Sequence, residues 1–144
     1  MIIGLISDTH GLLRPEIARA FAGVDRILHA GDVGSRAVLE ALAKIAPVDA
    51  VFGNVDDPHD PALARERTLT HNGIAIHVSH GHELGRPTAS LVLARYAGDV
   101  VVFGHYPGTT PPTQVEGAVT VRPGQRGMYV AATHLVVDVM VSFS

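Results

Sequence analysis

Five short motifs in this chain each close an apolar run of strand length, and together they restrict the fold more than any bulk property does. Asp8-Thr9-His10, Gly31-Asp32, Gly53-Asn54, His80-Gly81-His82 and Gly104-His105 end runs such as Ile2-Ile3-Gly4-Leu5-Ile6 and Ile27-Leu28-His29-Ala30. Each sets an oxygen or nitrogen metal ligand beside a glycine or another ligand. In an open α/β sheet, side chains at the carboxyl ends of successive strands converge on one crevice. The pattern therefore predicts an α/β protein with a polar site along one edge of its sheet.

Helical patterns separate the early runs. Arg14 to Phe21 reads as a short helix with Pro15 near its start. Ser35 reads as the N-cap of a helix through Ile45, with Val38, Leu39, Leu42 and Ile45 on one face. Residues 48–52 form a third strand, and the prolines and aspartates of residues 56–61 mark a loop. Residues 65–70 and 74–79 read as strands around Asn72-Gly73, a hairpin signal. A helix from Thr88 to Tyr96, a strand from Asp99 to Phe103 and a loop over residues 106–112 follow. The remainder alternates as antiparallel strands, with turns at Glu116-Gly117 and Pro123-Gly124. The order is βαβαβ and then a β-rich half. It implies a helix-covered sheet with a second, more antiparallel sheet packed against it. Residues 1–144 read as a single domain without repeat or linker.

Composition narrows the function classes. With 47% hydrophobic and 17% charged residues the chain is globular, and it has no apolar stretch of the length that spans a membrane. Its first residues lack the basic flank and cleavage site of a signal peptide. Cysteine is absent, which removes disulfide, thiolate and zinc-finger chemistry and suits a cytoplasmic location. The net charge of -3 and the lack of a basic run argue against strong sequence-independent binding of nucleic acid. Nine histidines in a chain without Cys or Trp point instead to metal ligation.

Asp8 and His10 stand two apart at the end of an extended run, and strand alternation would put both on one face. Asp32 ends the next strand, and its two oxygens can bridge two cations. Asn54 offers a neutral amide oxygen, and His80 and His105 offer imidazoles. This set of Asp, Asn and His suits borderline-hard divalent ions such as Mn²⁺, Fe²⁺ or Zn²⁺. Two such ions about 3.5–4 Å apart activate water and stabilise in-line displacement at phosphorus, so the chemistry implied is phosphoester hydrolysis. Single Gly-Asp or Gly-Asn pairs are ordinary turns. Five in order, each at a strand terminus, are hard to obtain from turn chemistry alone.

The order Asp-Xaa-His, Gly-Asp, Gly-Asn, His-Gly-His, Gly-His resembles the calcineurin-like metallophosphoesterases, over nearly the whole chain. Asp8-Thr9-His10-Gly11, Gly53-Asn54-Val55-Asp56 and Pro123-Gly124 resemble the small YfcE-type phosphodiesterase branch. The resemblance implies a four-layer α/β/β/α sandwich with two mixed sheets, and phosphodiesterase or phosphatase activity on a small phosphoester. It also implies two divalent metal ions, often Mn²⁺, with Zn²⁺, Fe²⁺ or Ni²⁺ as alternatives. Asp8, His10 and Asp32 match the first metal's ligands, with Asp32 bridging. Asn54, His80 and His105 match the second's.

Two departures stand out. The family's Gly-His-Xaa-His is here Gly104-His105-Tyr106-Pro107, and proline has no ligand atom. Water, His82 or His134 would fill the gap, or the first site would be weak or empty. The second is Arg122-Pro123-Gly124-Gln125, where the family shows Asn-Pro-Gly-Ser. A degenerate metal site would make the protein a scaffold or interaction module on the same fold, as the retromer subunit of this family is.

The catalytic candidates are Asn54, which doubles as a ligand, and His82. His82 reads as a general acid or a phosphate contact, and Asp56 as a general acid or a turn residue. His29 reads either as an orienting partner of a ligand or as a buried His bonded to backbone. His77 fills a strand face, His59 and His71 are read as solvated, and Arg14 and Arg86 as surface charges. Substrate identity lies in loop shape, and oligomeric state is open, with a homo-oligomer allowed.

Overall fold

The computed structural model describes residues 1–71, 73–85, 89–104, 117–121, 130–131 and 134–138. Five strands form the first sheet: β1 (Ile2–Ile6), β2 (Arg26–His29), β3 (Val48–Val51), β4 (Leu63–Ala64) and β10 (His134–Asp138), in the order β10-β1-β2-β3-β4. β1 to β4 run parallel, and β10 lies antiparallel on β1, with Ile2 opposite Asp138 and Ile6 opposite His134. The second sheet has the order β5-β6-β7-β8-β9, built from Glu66–His71, Ile74–Ser79, Val100–Gly104, Gly117–Val121 and Val130–Ala131. Its β6–β7 pair is parallel and its other pairs are antiparallel. The architecture is thus α/β with two sheets, as the order of apolar runs predicted, and both sheets are mixed, as the resemblance implied.

Strand alternation creates the core. Ile3, Leu5, Leu28, Ala30 and Val51 of the first sheet meet Ile74, Ile76, Val78 and Val102 of the second, and the two sheets pack face to face. On the other side of the first sheet, Ile6 and Ile27 receive Ile17 and Phe21 from the region of α1 (Glu16–Ala20), and Val38 and Leu42 from α2 (Arg36–Ala43). α3 (Ala89–Arg95) places Val92, with Tyr96 just beyond it, on Val101 and Phe103 of the second sheet. Among the described residues no helix is long and apolar enough to cross a membrane.

Four details differ from the sequence reading. β4 was not anticipated; two residues give too little alternation to register, and it is defined by pairing with β3. A 3₁₀ turn over His82–Leu84 was also missed. Ser35 precedes α2 as predicted but makes no side-chain capping bond. β10, expected among the later antiparallel strands, returns to the first sheet beside β1. Gly73 and the one-to-one opposition of His71 and Ile74 fit the predicted hairpin. Asn72, Arg86, Glu116, the 106–112 loop and Arg122 to Gln125 lie outside the described residues.

Candidate metal centre

The carboxyl ends of β6 and β7 approach those of the first sheet through His80 and Gly104, and backbone hydrogen bonds continue past β1 and β2 into their loops. Asp8 N–H donates to Gly31 O (2.9 Å), His10 N–H to Asp32 O (2.9 Å) and Gly11 N–H to Val33 O (2.7 Å). The loops after β1 and β2 are zipped together in this way. Thr9 Oγ1 adds a bond to Val33 O at 2.9 Å.

Asp56 fastens the loop after β3 to them. Its carboxylate accepts from the N–H groups of Val33 (3.0 Å), Gly34 (2.9 Å) and Gly53 (2.8 Å). With three backbone donors engaged, Asp56 is a clamp, so the proposed general-acid role gives way to its turn-residue role. Asp32 Oδ1 accepts from Val55 N–H at 3.1 Å and joins the same two loops from the other side.

His29 completes this frame. Its Nδ1 lies 3.1 Å from Gly31 N–H and therefore accepts; Nε2 then carries the proton and donates to Thr9 Oγ1 at 3.0 Å. The ring is fully buried and binds backbone, as one of the two readings has it, and through Thr9 and Gly31 it ties together the loops that carry Asp8 and Asp32. Burial drives its pKa down to about 4, against the opposing pull of Asp56.

Within this frame Asp8, Asp32 and His80 are buried, with ligand atoms all within 4.8 Å of one another. His80 Nδ1 donates to Ala30 O at 2.8 Å, so a neutral ring turns a lone pair outward at Nε2. Facing that lone pair are Asn54 Oδ1 at 3.0 Å, Asp32 Oδ2 at 3.4 Å and Asp8 Oδ1 at 3.9 Å. Electron-pair donors converge here from the ends of four strands, β1, β2, β3 and β6. A cation, either a proton on His80 or a metal, reconciles them; turning the Asn54 amide so that Nδ2 donates to Nε2 would relieve the Asn54 contact alone and leave the two carboxylates facing the ring. Burial disfavours the protonated His80 ring, but the bond and charge of Asp32 and the charge of Asp8 outweigh it and raise its pKa. Burial likewise opposes ionisation of Asp32, yet His80 and the Val55 N–H hold its carboxyl below the usual range. The donor set fits a borderline-hard divalent ion.

His10 stands on the outer side. Its half-exposed ring places Nε2 3.9 Å from Asp8 Oδ1 and 3.9 Å from Asp32 Oδ2. Each carboxylate thus lies between an outer and an inner imidazole. The pairing of Asp8 and His10 does not come from strand alternation as read. β1 ends at Ile6, and both residues adopt left-handed backbone, φ 57° and 49°. Asp32 does the same at 55°, and these are the non-glycine residues with positive φ among the described residues. Strained φ values gathered at one cluster are characteristic of functional sites.

His82 begins the 3₁₀ turn, its ring 5.3 Å from that of His80 and 6.4 Å from Phe52. Two glycines are dictated by close approach. A side chain at Gly53 would overlap Asp32 Oδ1, and one at Gly104 would overlap Ser7 Oγ and crowd His80. Gly104 brings the end of β7 to the cluster; His105, Tyr106 and Pro107 lie outside the described residues, as does the side chain of His134. Ser7, not singled out from sequence, donates from Oγ to Asp8 Oδ2. A hydroxyl directly before a ligand at a strand end was the available signal. Of the remaining histidines, His77 is buried in its strand as read and His59 is exposed. His71, read as solvated, is half-buried as the last residue of β5.

A profile of the calcineurin-like phosphoesterase superfamily domain matches residues 1–141. The chain belongs to this superfamily. It is 35% identical over 136 residues to a probable metallophosphoesterase of Methanothermobacter thermautotrophicus, covering 86% of this chain and 76% of that protein. A probable metallophosphoesterase of Methanocaldococcus jannaschii is 38% identical over 115 residues; the match covers 73% of this chain but only 58% of the relative's length. Among solved structures, Vps29 of Entamoeba histolytica complexed with Zn²⁺ superposes with a TM-score of 0.63 at 16% identity, covering 94% of this chain and 99% of that one. At that identity the likeness is one of fold.

Proposed function

We propose that this calcineurin-like chain is a hydrolase of small phosphoesters, diester or monoester, acting through metal-activated water. The observation that carries the reading is the convergence of buried Asp8, Asp32 and His80 with Asn54 at the exposed rim, an array of electron-pair donors suited to a cation. Asp8, His10 and Asp32 would hold one divalent ion, and Asn54, His80 and His105 a second, with Asp32 shared. Mn²⁺ is the expected metal, with Zn²⁺, Fe²⁺ or Ni²⁺ able to replace it. Such ions supply Lewis acidity at phosphorus and lower the pKa of water.

The chain's own residues supply the rest. Asn54, exposed at the rim, presents its amide to a phosphoryl oxygen while Oδ1 faces His80. His82 stands beside His80, able to donate a proton to the phosphoryl or leaving-group oxygen. Asp56, His29 and Thr9 keep the three ligand loops in register. The test is turnover of a chromogenic phosphodiester and a phosphomonoester by the Mn²⁺-loaded protein. Hydrolysis of at least one is expected, lost in Asp32→Asn. Fully metallated protein that turns over neither would end the reading.

Pro107 favours one alternative, an interaction module with a degenerate first metal site. Pro107→His separates the two. Little change in an already active enzyme supports the hydrolase, whereas a large rise in metal stoichiometry and activity from a near-inactive parent supports the module.

A further inference from the structure

Strand alternation puts apolar residues into the space between the sheets, yet three charged side chains occupy inward positions of the same strands. Arg26 precedes Leu28 on the inner face of β2, Asp49 precedes Val51 on that of β3, and Arg67 precedes Leu69 on that of β5. The space is not filled there. A cavity of about 340 Å³ opens between β2–β3 and β5–β6, lined by Arg26, Leu28, Asp49, Arg67, Thr68, Leu69 and Val78. This volume lies at the lower end of the range for small-molecule sites.

The two guanidinium groups are fixed in place. Arg26 Nε donates to Asp49 Oδ2 at 2.5 Å, and Arg67 Nε donates to Ala50 O at 2.9 Å, with a weaker contact from Nη2 to Ala62 O at 3.5 Å. Among the described residues no hydrogen bond occupies the terminal amines of Arg26 or Nη1 of Arg67. Two guanidinium groups against one carboxylate leave one positive charge, over a floor made by the buried Leu28 and Val78. An Arg fork recognises a carboxylate in its own plane, and the aliphatic floor suits a hydrocarbon body.

We propose that this cavity binds a small monoanion with an apolar tail, at a site separate from the metal centre. A competing explanation is that the inward charge of Arg67 on the edge strand β5 discourages sheet-to-sheet pairing. That role needs neither the cavity nor a ligand.

The test titrates the full chain with hexanoate and follows the methyl resonances of Leu28, Leu69 and Val78 by NMR. Hexanol, hexylamine and inorganic phosphate serve as parallel probes. Saturable shifts of these methyls by hexanoate are expected, with Kd on the order of 1–10 mM for so small a ligand, and none of the other probes should match them. Arg67→Met should weaken hexanoate at least about tenfold. Absence of saturable shifts in the unmodified chain overturns the proposal, whether or not the variant folds. Equal binding of hexanol would remove the anion from it, and binding of phosphate at these methyls would remove the tail.

Discussion

Asp8, His10 and Asp32 hold left-handed backbone that costs L-residues roughly 1–2 kcal/mol each. Such conformations persist where the surroundings dictate them, and here the zipped loops do. The ring of His10 is half-exposed, so its removal forfeits little packing. His10→Gly should therefore be more stable than His10→Ala by about 1 kcal/mol in metal-free protein, the reverse of the usual order in regular structure. Urea unfolding of both variants decides it; a more stable alanine variant would mean that the backbone at this position is not under strain.

His29 gives stability a pH dependence of definite sign. Its pKa falls from 6.5 unfolded to about 4 folded, so the unfolded chain takes up the proton first as pH drops. The neutral-ring contribution is complete above pH 6.5 and is lost between there and pH 4, on the order of 3 kcal/mol in all. The raised pKa of His80 gives the opposite slope, with stability present below the unfolded value and lost as pH rises. Subtracting the unfolding free energies of His29→Gln from those of the parent, pH by pH without metal, isolates the His29 term. A flat difference between pH 7 and 4 would contradict it.

Among elements, the loops at the carboxyl ends of β1, β2 and β3 behave as one unit because Asp56 joins two of them through three backbone donors. Removing a charged acceptor strands the half-buried N–H groups of Val33 and Gly53, while the exposed Gly34 N–H turns to water, so Asp56→Ala should cost at least about 2 kcal/mol and weaken metal binding, and Asp56→Asn should retain part of both. Equilibrium unfolding and a Mn²⁺ titration check this; an alanine variant of parental stability would show that the clamp is dispensable. The aspartate was visible in sequence but its role was not, since its partners lie 22 and 23 residues away as well as 3. α2 was legible because Val38 and Leu42 recur on one face, both buried. The 3₁₀ turn at His82–Leu84 was not, because three residues carry no period.

At the scale of the whole molecule, β10 closes the first sheet. It pairs with β1 along all five residues and covers the edge of a strand rich in Ile and Leu. Truncation after Ala131 should expose that edge and turn the protein to association. Light scattering and size-exclusion chromatography would show it, and a monodisperse truncated chain would disprove it. The return of β10 to the first sheet was not readable, because an alternating strand can pair with any free edge of suitable register.

Sequence by itself determined the α/β class, the parallel start β1-β2-β3, the hairpin of β5 and β6, and which candidate residues stand at strand ends. Those follow from local periodicity and from the rule that parallel strands share one carboxyl edge. Tertiary structure alone decided that Asp8 and His10 meet through left-handed turns, that His29 and Asp56 are struts, and that charged residues face a cavity between the sheets. Each depends on contacts between residues distant along the chain, whose partners no local pattern names.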